Sequence, residues 1–350
     1  MKYEDKTVEY SQIAISFCLP VYNVEKFLKA CIESIVSQID KTISFEIVCV
    51  DDKSTDGSYA LLKRLQIQYP VIKAYINDEN KGVSYTRNRA IDLAKGKYIW
   101  FVDPDDMLYP GVVHNLYKEI EQRNGNVILG NFIKVPEDAE LSSYDKEPHY
   151  TVTEIATNDN GYLPSDTNGN VMCSVWAGMF NKSFLIDNHL YFQEGMIAQE
   201  DTLLYYQFSL RTDVVIKYNG ILYIYRQCKS SVMHSRNSER SKKYYNSMVI
   251  MYDVYNAHYK NKDYRDEMVL LKKLHHMRQN LASVLALVDD SDFVKRELKR
   301  LKQQKLYPYP LRWSAIKGKD SLVRRIIIFL LPIEPIFWLS HKIFKIIKKG

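Results

Sequence analysis

The sequence predicts an α/β fold with a mostly parallel central sheet, followed by a helical C-terminal extension. Three observations carry that prediction. Between residues 13 and 133, short apolar runs alternate with amphipathic helical stretches, the pattern of strands covered on both faces by crossover helices. Several runs end in ligand-suited residues, PVYN at 20–23, DD at 51–52 and DPDD at 103–106, and ligands of open α/β sheets bind at the carboxyl ends of strands. After residue 236 the chain turns helical and basic: residues 237–350 hold 24 Lys/Arg against 11 Asp/Glu, a net of +13, while 1–236 hold 24 against 31, a net of −7. An acidic body with a basic end implies two jobs on one chain.

The elements follow in order. IAISFCL (13–19) is an apolar strand run stopped by Pro20, and VEKFLKACIESIVSQ (24–38) puts Phe27, Leu28, Cys31, Ile35 and Val36 on one helical face. FEIVCVD (45–51) is a strand, STDGS (54–58) opens a helix, and VIKAYI (71–76) is the next strand. Gly82 precedes the helix VSYTRNRAIDLAKG (83–96), where Gly96 reads as the C-cap. A strand over KYIWFV (97–102), a helix over GVVHNLYKEIEQR (111–123) and a strand over NVILGNFI (126–133) complete the alternation. Residues 134–170 are polar and rich in Gly, Asn and Asp, an irregular excursion; apolar and aromatic segments return over 171–236, and 240–306 read as two or three helices. No internal repeat is visible.

The chain has 350 residues, 46% hydrophobic and 26% charged, an ordinary globular balance that excludes a disordered or fibrous class. The five cysteines (Cys18, Cys31, Cys49, Cys173 and Cys228) form no C-x-x-C pair, so neither a zinc knuckle nor a disulfide framework is indicated, and a reducing cytoplasm is expected. MKYEDKTVEYSQ at the N-terminus lacks an apolar h-region, so no signal peptide is expected. No run reaches the roughly 18–20 apolar residues of a membrane span; IIIFLLPIEPIFWL (326–339) is broken by Pro332, Glu334 and Pro335. The run KYIWFVDPDD ends in Asp103, Asp105 and Asp106, three carboxylates that raise one another's pKa unless a positive charge sits among them. Hard divalent ions want such oxygen ligands. An EF-hand would need Gly and Glu at loop positions 6 and 12, where Leu108 and His114 stand.

Together, LPVYNVEKFLKACIESIVSQ, IVCVDDKSTDGS, NKGVSYTRNRAIDLAKGKYIWFVDPDD and AQEDTLLYYQ resemble the inverting family 2 glycosyltransferases of the bacterial surface-polysaccharide type, with the GT-A (nucleotide-diphospho-sugar transferase) fold. The match runs from about 13 to 110 and resumes from about 171 to 235. The resemblance implies a catalytic domain over 1–236, with a nucleotide-binding half about 13–133 and an acceptor half about 171–236. A helical region over 237–310 and a basic tail over 311–350 follow it. Asp52 then matches the acceptor of the uracil N3–H, a role suited to a carboxylate, with Asp51 supporting the turn; the alternative is that both acids cap STDGS. Lys53 stands where the family more often has Gly. Pro20, Tyr22 and Asn23 match the loop beside the nucleotide. Arg87 matches an arginine near the nucleotide, whose planar donors suit a phosphate or base oxygen; Arg89 is expected to be a solvated charge.

By the same resemblance, Asp105 is the direct ligand of Mn²⁺ or Mg²⁺ and Asp103 shares the metal and ribose shell. Asp106 orients the loop or donor sugar, and His234 is a further candidate metal ligand. Asp201 matches the catalytic base that deprotonates the acceptor hydroxyl, with Glu200 as its supporting neighbour. Placed at a helix N-terminus, Asp201 is expected to have a lowered pKa. Trp176 and Met179 fall where the family builds its acceptor site, although core packing explains them equally well.

IFWLSHKIFKIIKKG (336–350) reads as an amphipathic helix. Ile336, Phe337, Leu339, Ile343, Phe344, Ile346 and Ile347 take one half of the wheel, and His341, Lys342, Lys345, Lys348 and Lys349 the other. With Arg324 and Arg325 upstream, it is suited to an anionic membrane surface. Packing on its own domain or a homodimer contact are the alternatives, and nucleic-acid binding fits neither the acidic half nor the apolar face. The expected protein is a cytoplasmic enzyme, peripheral to the inner face of the cell membrane. It would use a UDP-sugar donor and a saccharide or lipid-linked saccharide acceptor, as in capsule, exopolysaccharide or O-antigen synthesis. Two rivals remain. A sugar-nucleotide pyrophosphorylase should carry a Gly-rich phosphate loop where PVYNVEKF stands, and an inactive membrane-bound scaffold has no need of Asp103, Asp105 and Asp201.

Overall fold

The computed structural model describes residues 13–38, 42–138, 150–156, 173–227, 238–307 and 334–349. The chain divides into two compact units, one of Met1–Gly195 with Glu200–Ser231 and one of Met196–Gln199 with Val232–Gly350.

The first unit is built on a nine-stranded sheet in the order β3-β2-β1-β4-β8-β6-β9-β5, with β7 on β9. Strands β1 (Ile15–Val21), β2 (Phe45–Asp51), β3 (Ile72–Ile76) and β4 (Tyr98–Phe101) are parallel neighbours. Alternate side chains of these strands face opposite layers. Phe17, Ile47, Cys49 and Trp100 pack with α1 (Glu25–Val36), α2 (Ser58–Gln68) and α4 (Val112–Gln122). Cys18, Val48, Val50 and Phe101 pack with α3 (Val83–Leu93), α5 (Lys182–Asp187) and α6 (Glu200–Ser209). Because both faces are covered, the strands are largely apolar, and each fully buried large side chain contributes about 1.5–3 kcal/mol.

The second half of the sheet departs from the parallel reading. Strand β8 (Gly178–Asn181) runs antiparallel between β4 and β6 (Val127–Pro136), β9 (Val214–Gln227) is parallel to β6, and β5 (Met107–Leu108) and β7 (Val152–Ala156) are antiparallel to β9. The excursion expected over 134–170 thus holds the end of β6 and all of β7.

Two local expectations are also corrected. Pro20 does not stop β1: it lies opposite Val50 in the β1–β2 register, beyond Cys18, where β4 pairing has ended, so proline's missing donor is tolerated on that side. Gly96 is not a left-handed cap. Its N–H donates to Ser16 Oγ at 2.8 Å, and a Cβ there would lie 2.5 Å from the Ser16 backbone nitrogen, so close approach of two backbones selects glycine. Cys18, Cys31 and Cys49 are buried, and burial raises each thiol pKa, as core cysteines require.

The second unit contains α7 (Ser238–Lys260), α8 (Glu267–Ala286), α9 (Ser291–Gln303) and α10 (Glu334–Lys349). Asp266 and Asp290 cap α8 and α9 with side-chain acceptors, as helix N-termini prefer. In α10, Phe337 and His341 are buried together, whereas Leu339 is 56% exposed. His341 Nδ1 lies 3.1 Å from the Ala286 carbonyl oxygen. The wheel that put His341 on the polar half is therefore corrected: positions four apart share a face, and that face packs on α8. Residues 308–333, including Arg324 and Arg325, lie outside the described residues. Among those described, no helix is long and apolar enough to cross a membrane.

Candidate active site

The carboxyl edge of the parallel strands is sewn together by side chains that look, in sequence, like ligand contacts. Asn23, at φ +52°, accepts through Oδ1 from Thr55 N–H at 2.8 Å, and its own N–H donates to Ser54 Oγ at 3.0 Å. Its side-chain oxygen joins the β1–α1 and β2–α2 loops. Tyr22 is 43% exposed beside it, and Pro20 is half-buried. Asp51 accepts from Ser54 N–H at 2.8 Å, while its Oδ2 is buried without a partner. Asp52 is buried and accepts from Asn77 Nδ2 at 2.7 Å, Lys81 N–H at 2.9 Å and Gly82 N–H at 2.7 Å. A carboxylate has about four acceptor positions, so Asp52 pins the β3–α3 loop and keeps one for another donor. Lys53 takes φ +60°. Arg89 is not the solvated charge expected; it donates to the Ile76 carbonyl at 2.7 Å and to Asn77 Oδ1 at 2.6 Å.

The three carboxylates after β4 have separate environments. Asp103 Oδ1 accepts from Arg87 Nη2 at 2.8 Å. Asp106 is buried and accepts from the Arg226 backbone N–H at 2.8 Å. Asp105 takes no hydrogen bond from another described residue; burial first, then Asp103, push its pKa up to about 6. Burial, Asp105 and Asp103 likewise raise Asp106. A carboxylate placed this way gains from a nearby cation, and a hard divalent ion needs only one or two protein carboxylates besides its other oxygens. Asp105 with Asp103 fits that donor set. No three His, Cys, Asp or Glu converge into a ready cage among the described residues. His234 lies outside them.

Arg87 is the centre of the site. Buried on α3, it donates from Nη1 to Glu200 Oε1 at 3.1 Å and Asp201 Oδ1 at 2.9 Å, and from Nη2 to Asp103. Burial works against its charge, but Asp201, Asp103 and Glu200 outweigh it and hold the guanidinium protonated. The positive partner that the DPDD run demands is therefore, for Asp103, a protein residue. Asp201 opens α6 and accepts through Oδ2 from Val175 N–H at 3.2 Å. Its pKa is not lowered as the helix dipole predicts: burial raises it, Arg87 opposes, and Glu200 adds to the rise.

Trp176 lies in the 3-10 turn Val175–Ala177 that supplies this N–H. It is 3% exposed, stacked on Tyr223 at 4.3 Å and on Tyr225 at 5.8 Å between ring centroids. Met179 is fully buried in the core. Packing, rather than an open face for a sugar, is what these two positions supply in this conformation. Tyr223 and Arg226 were not singled out in the sequence; the apolar and aromatic run ILYIY (221–225) suits a strand, but nothing local says that it runs beside the Asp103–Asp106 loop.

Comparison with known proteins agrees with this architecture. The model of "Glycosyl transferase family 2" matches residues 16–186. The glycosyltransferase GlyA of Streptococcus pneumoniae is 31% identical over 223 residues, 62% of this chain and 31% of that protein; the chain thus spans about a third of that relative's length. The poly(ribitol-phosphate) beta-N-acetylglucosaminyltransferase TarP of Staphylococcus aureus is 23% identical over 72% of this chain and 74% of its own. The crystal structure of S. aureus TarS 1-349 in complex with UDP-GlcNAc superposes with a TM-score of 0.60 at 18% identity, over 95% of this chain and 92% of that one, which supports the same fold. Residues 16–186 are thus similar to glycosyl transferase family 2, on the GT-A fold that the TarS neighbour shares.

Proposed function

We propose that the chain is a metal-dependent inverting glycosyltransferase that moves a hexose or N-acetylhexosamine from a UDP-sugar to a saccharide or lipid-linked saccharide acceptor during surface-glycan synthesis. The observation that carries this reading is Arg87, which joins a donor-side carboxylate, Asp103, to the pair Glu200 and Asp201 at the carboxyl edge of the sheet. The names of relatives support the pathway, since they include a poly(ribitol-phosphate) beta-glucosyltransferase of Bacillus spizizenii and a chondroitin synthase of Escherichia coli. The neighbouring TarS structures with UDP-GlcNAc and UDP support the donor class.

In this mechanism the acceptor hydroxyl attacks the anomeric carbon from the face opposite UDP. Its proton passes to Asp201, and the bond from the anomeric carbon to the UDP oxygen breaks as the new one forms. Burial suits Asp201 to the task, because a carboxylate with a raised pKa is a stronger base nearer neutral pH. Asp105 and Asp103 would hold Mn²⁺ or Mg²⁺, which when bound neutralises charge on the departing UDP. Asp52 keeps an acceptor position for the uracil N3–H, and Tyr22 is exposed beside that loop.

UDP release across a panel of UDP-sugars with Mn²⁺ or Mg²⁺ tests the function and reports donor choice even through slow hydrolysis. Asp105→Ala is expected to weaken Mn²⁺-dependent UDP binding by at least about tenfold, measured by calorimetry, and to leave metal-free binding unchanged. No UDP release from any donor, with or without acceptor, would favour the inactive scaffold.

The C-terminal tail is read as a membrane-surface element, placing the enzyme where a lipid-linked acceptor is available. Lys342 and Leu339 are exposed on α10, and each basic residue near an anionic surface contributes about 1 kcal/mol. Deleting residues 320–350 is expected to abolish co-sedimentation with vesicles containing anionic lipid; unchanged co-sedimentation would rule the tail out as the anchor.

A further inference from the structure

One side chain touches both halves of the site without being a candidate ligand for either substrate. Tyr223 on β9 is fully buried. Its hydroxyl oxygen accepts from the Asp103 backbone N–H at 3.0 Å. The neighbouring residues close the same latch: Asp106 accepts from the Arg226 N–H at 2.8 Å, Leu108 pairs opposite Tyr223 in the β5–β9 ladder, and Tyr109 N–H donates to the Leu222 carbonyl at 3.0 Å. The loop carrying the three carboxylates is therefore clamped to β9, its first acid by the Tyr223 hydroxyl and its last by the Arg226 amide.

The ring of Tyr223 does a second job. It stacks on Trp176 with centroids 4.3 Å apart and planes 15° from parallel. The residue before Trp176, Val175, gives the N–H that orients Asp201. Trp176 cannot drift from this position, because its carbonyl accepts from Trp100 Nε1 at 2.9 Å and Phe132 meets its ring edge-on at 5.1 Å. From Asp103 to Asp201 there is thus a continuous rigid path: loop amide, Tyr223 hydroxyl, Tyr223 ring, Trp176 ring, Val175 amide, Asp201 carboxylate. The charged route between the same two acids, through Arg87, consists of hydrogen bonds that a diphosphate can compete for. The aromatic route contains no group that a nucleotide would displace.

We propose that Tyr223 is a positioning residue that sets the separation and orientation of the donor-side carboxylates relative to Asp201. This rests on the reading of Asp103 and Asp105 as the donor side. Misplacement of reacting groups by about 1 Å costs on the order of a hundredfold in rate, so a rigid spacer between acids on opposite sides of the anomeric carbon has a direct catalytic use.

Tyr223→Phe in the full chain separates the two jobs, since it keeps the stacked ring and removes the hydroxyl. Binding of UDP with Mn²⁺, measured by calorimetry, is expected to weaken about tenfold at a stoichiometry still near one, because the buried Asp103 N–H loses its acceptor. A purely structural role predicts the opposite pair of changes, a lower binding stoichiometry at unchanged affinity, and would overturn the proposal. Tyr223→Leu removes the ring as well, and in whatever fraction folds UDP-sugar hydrolysis per bound UDP is expected to fall further than in Tyr223→Phe; equal hydrolysis per bound UDP in the two variants would remove the spacer role. A wild-type chain that binds no UDP overturns the donor reading and the proposal with it, whereas wild-type binding with a Tyr223→Phe variant of the same affinity overturns the proposal alone.

Discussion

Replacing Asp201 by Asn is expected to lower sugar transfer by about 10²–10⁴-fold while leaving UDP affinity within about twofold of wild type. The substitution is nearly isosteric. An asparagine Oδ1 can still accept from Val175 N–H or from Arg87, so the start of α6 should keep its place. What it cannot do is take the acceptor's proton. The pH dependence gives an independent check. Burial is the largest cause acting on Asp201 and raises its pKa, with Arg87 pulling the other way. Because the ionised form is the base, the rate should rise with pH through a limb lying above the ordinary carboxylate value of about 3.9. That limb should vanish from the residual activity of Asp201→Asn. Near-normal transfer by the variant, or a limb that survives the substitution, would exclude Asp201 as the base.

The parallel half of the fold was legible because its signals are local. FEIVCVD is a strand over the same seven residues, Phe45–Asp51, that its composition marks, and α1 buries Phe27, Leu28, Cys31 and Ile35 as its spacing requires. The antiparallel half was not legible. β8 is only four residues long, and its partners Tyr98 and Ile128 lie far from it in sequence, so neither period nor turn chemistry announces the pairing. The site shows the same division. Residue types at the end of β4 pointed to Asp103 and Asp105, and the family resemblance to Asp201, yet their charge relations depend on pairings across 16 and 114 positions. The helix dipole was the wrong guide to the ionisation of Asp201, because a dipole at an exposed helix end is worth about 0.3–1 kcal/mol and burial of a carboxylate outweighs it. Asn23 carries a task that its sequence position does not announce: its Oδ1 accepts from three donors of the facing loop.

Arg87→Gln is expected to be the most destabilising single change in the site, at about 3–5 kcal/mol near neutral pH. Asp103, Glu200 and Asp201 are side chains only 25%, 13% and 14% exposed, and glutamine leaves their charges facing one another without a counter-ion. The sign of the pH dependence follows. Arg87 opposes the rise that burial gives the Asp201 pKa, so losing the guanidinium moves that pKa further above its unfolded value, and the folded variant binds more protons than the unfolded chain in that range. Its stability is then greatest at low pH and is lost as pH rises through the raised values. The penalty relative to wild type, taken from urea midpoints, should therefore shrink between pH 8 and pH 5. Adding Asp201→Asn to Arg87→Gln should return part of the loss, because one of the stranded charges is removed, and the double-mutant cycle measures the Arg87–Asp201 coupling directly. Arg87→Lys keeps a charge but not the planar fork that reaches three acids from two nitrogens. It should fold better than Arg87→Gln and still transfer sugar poorly. A penalty that stays flat across this pH range, or a double variant whose losses simply add, would mean that Arg87 stabilises the site by packing alone.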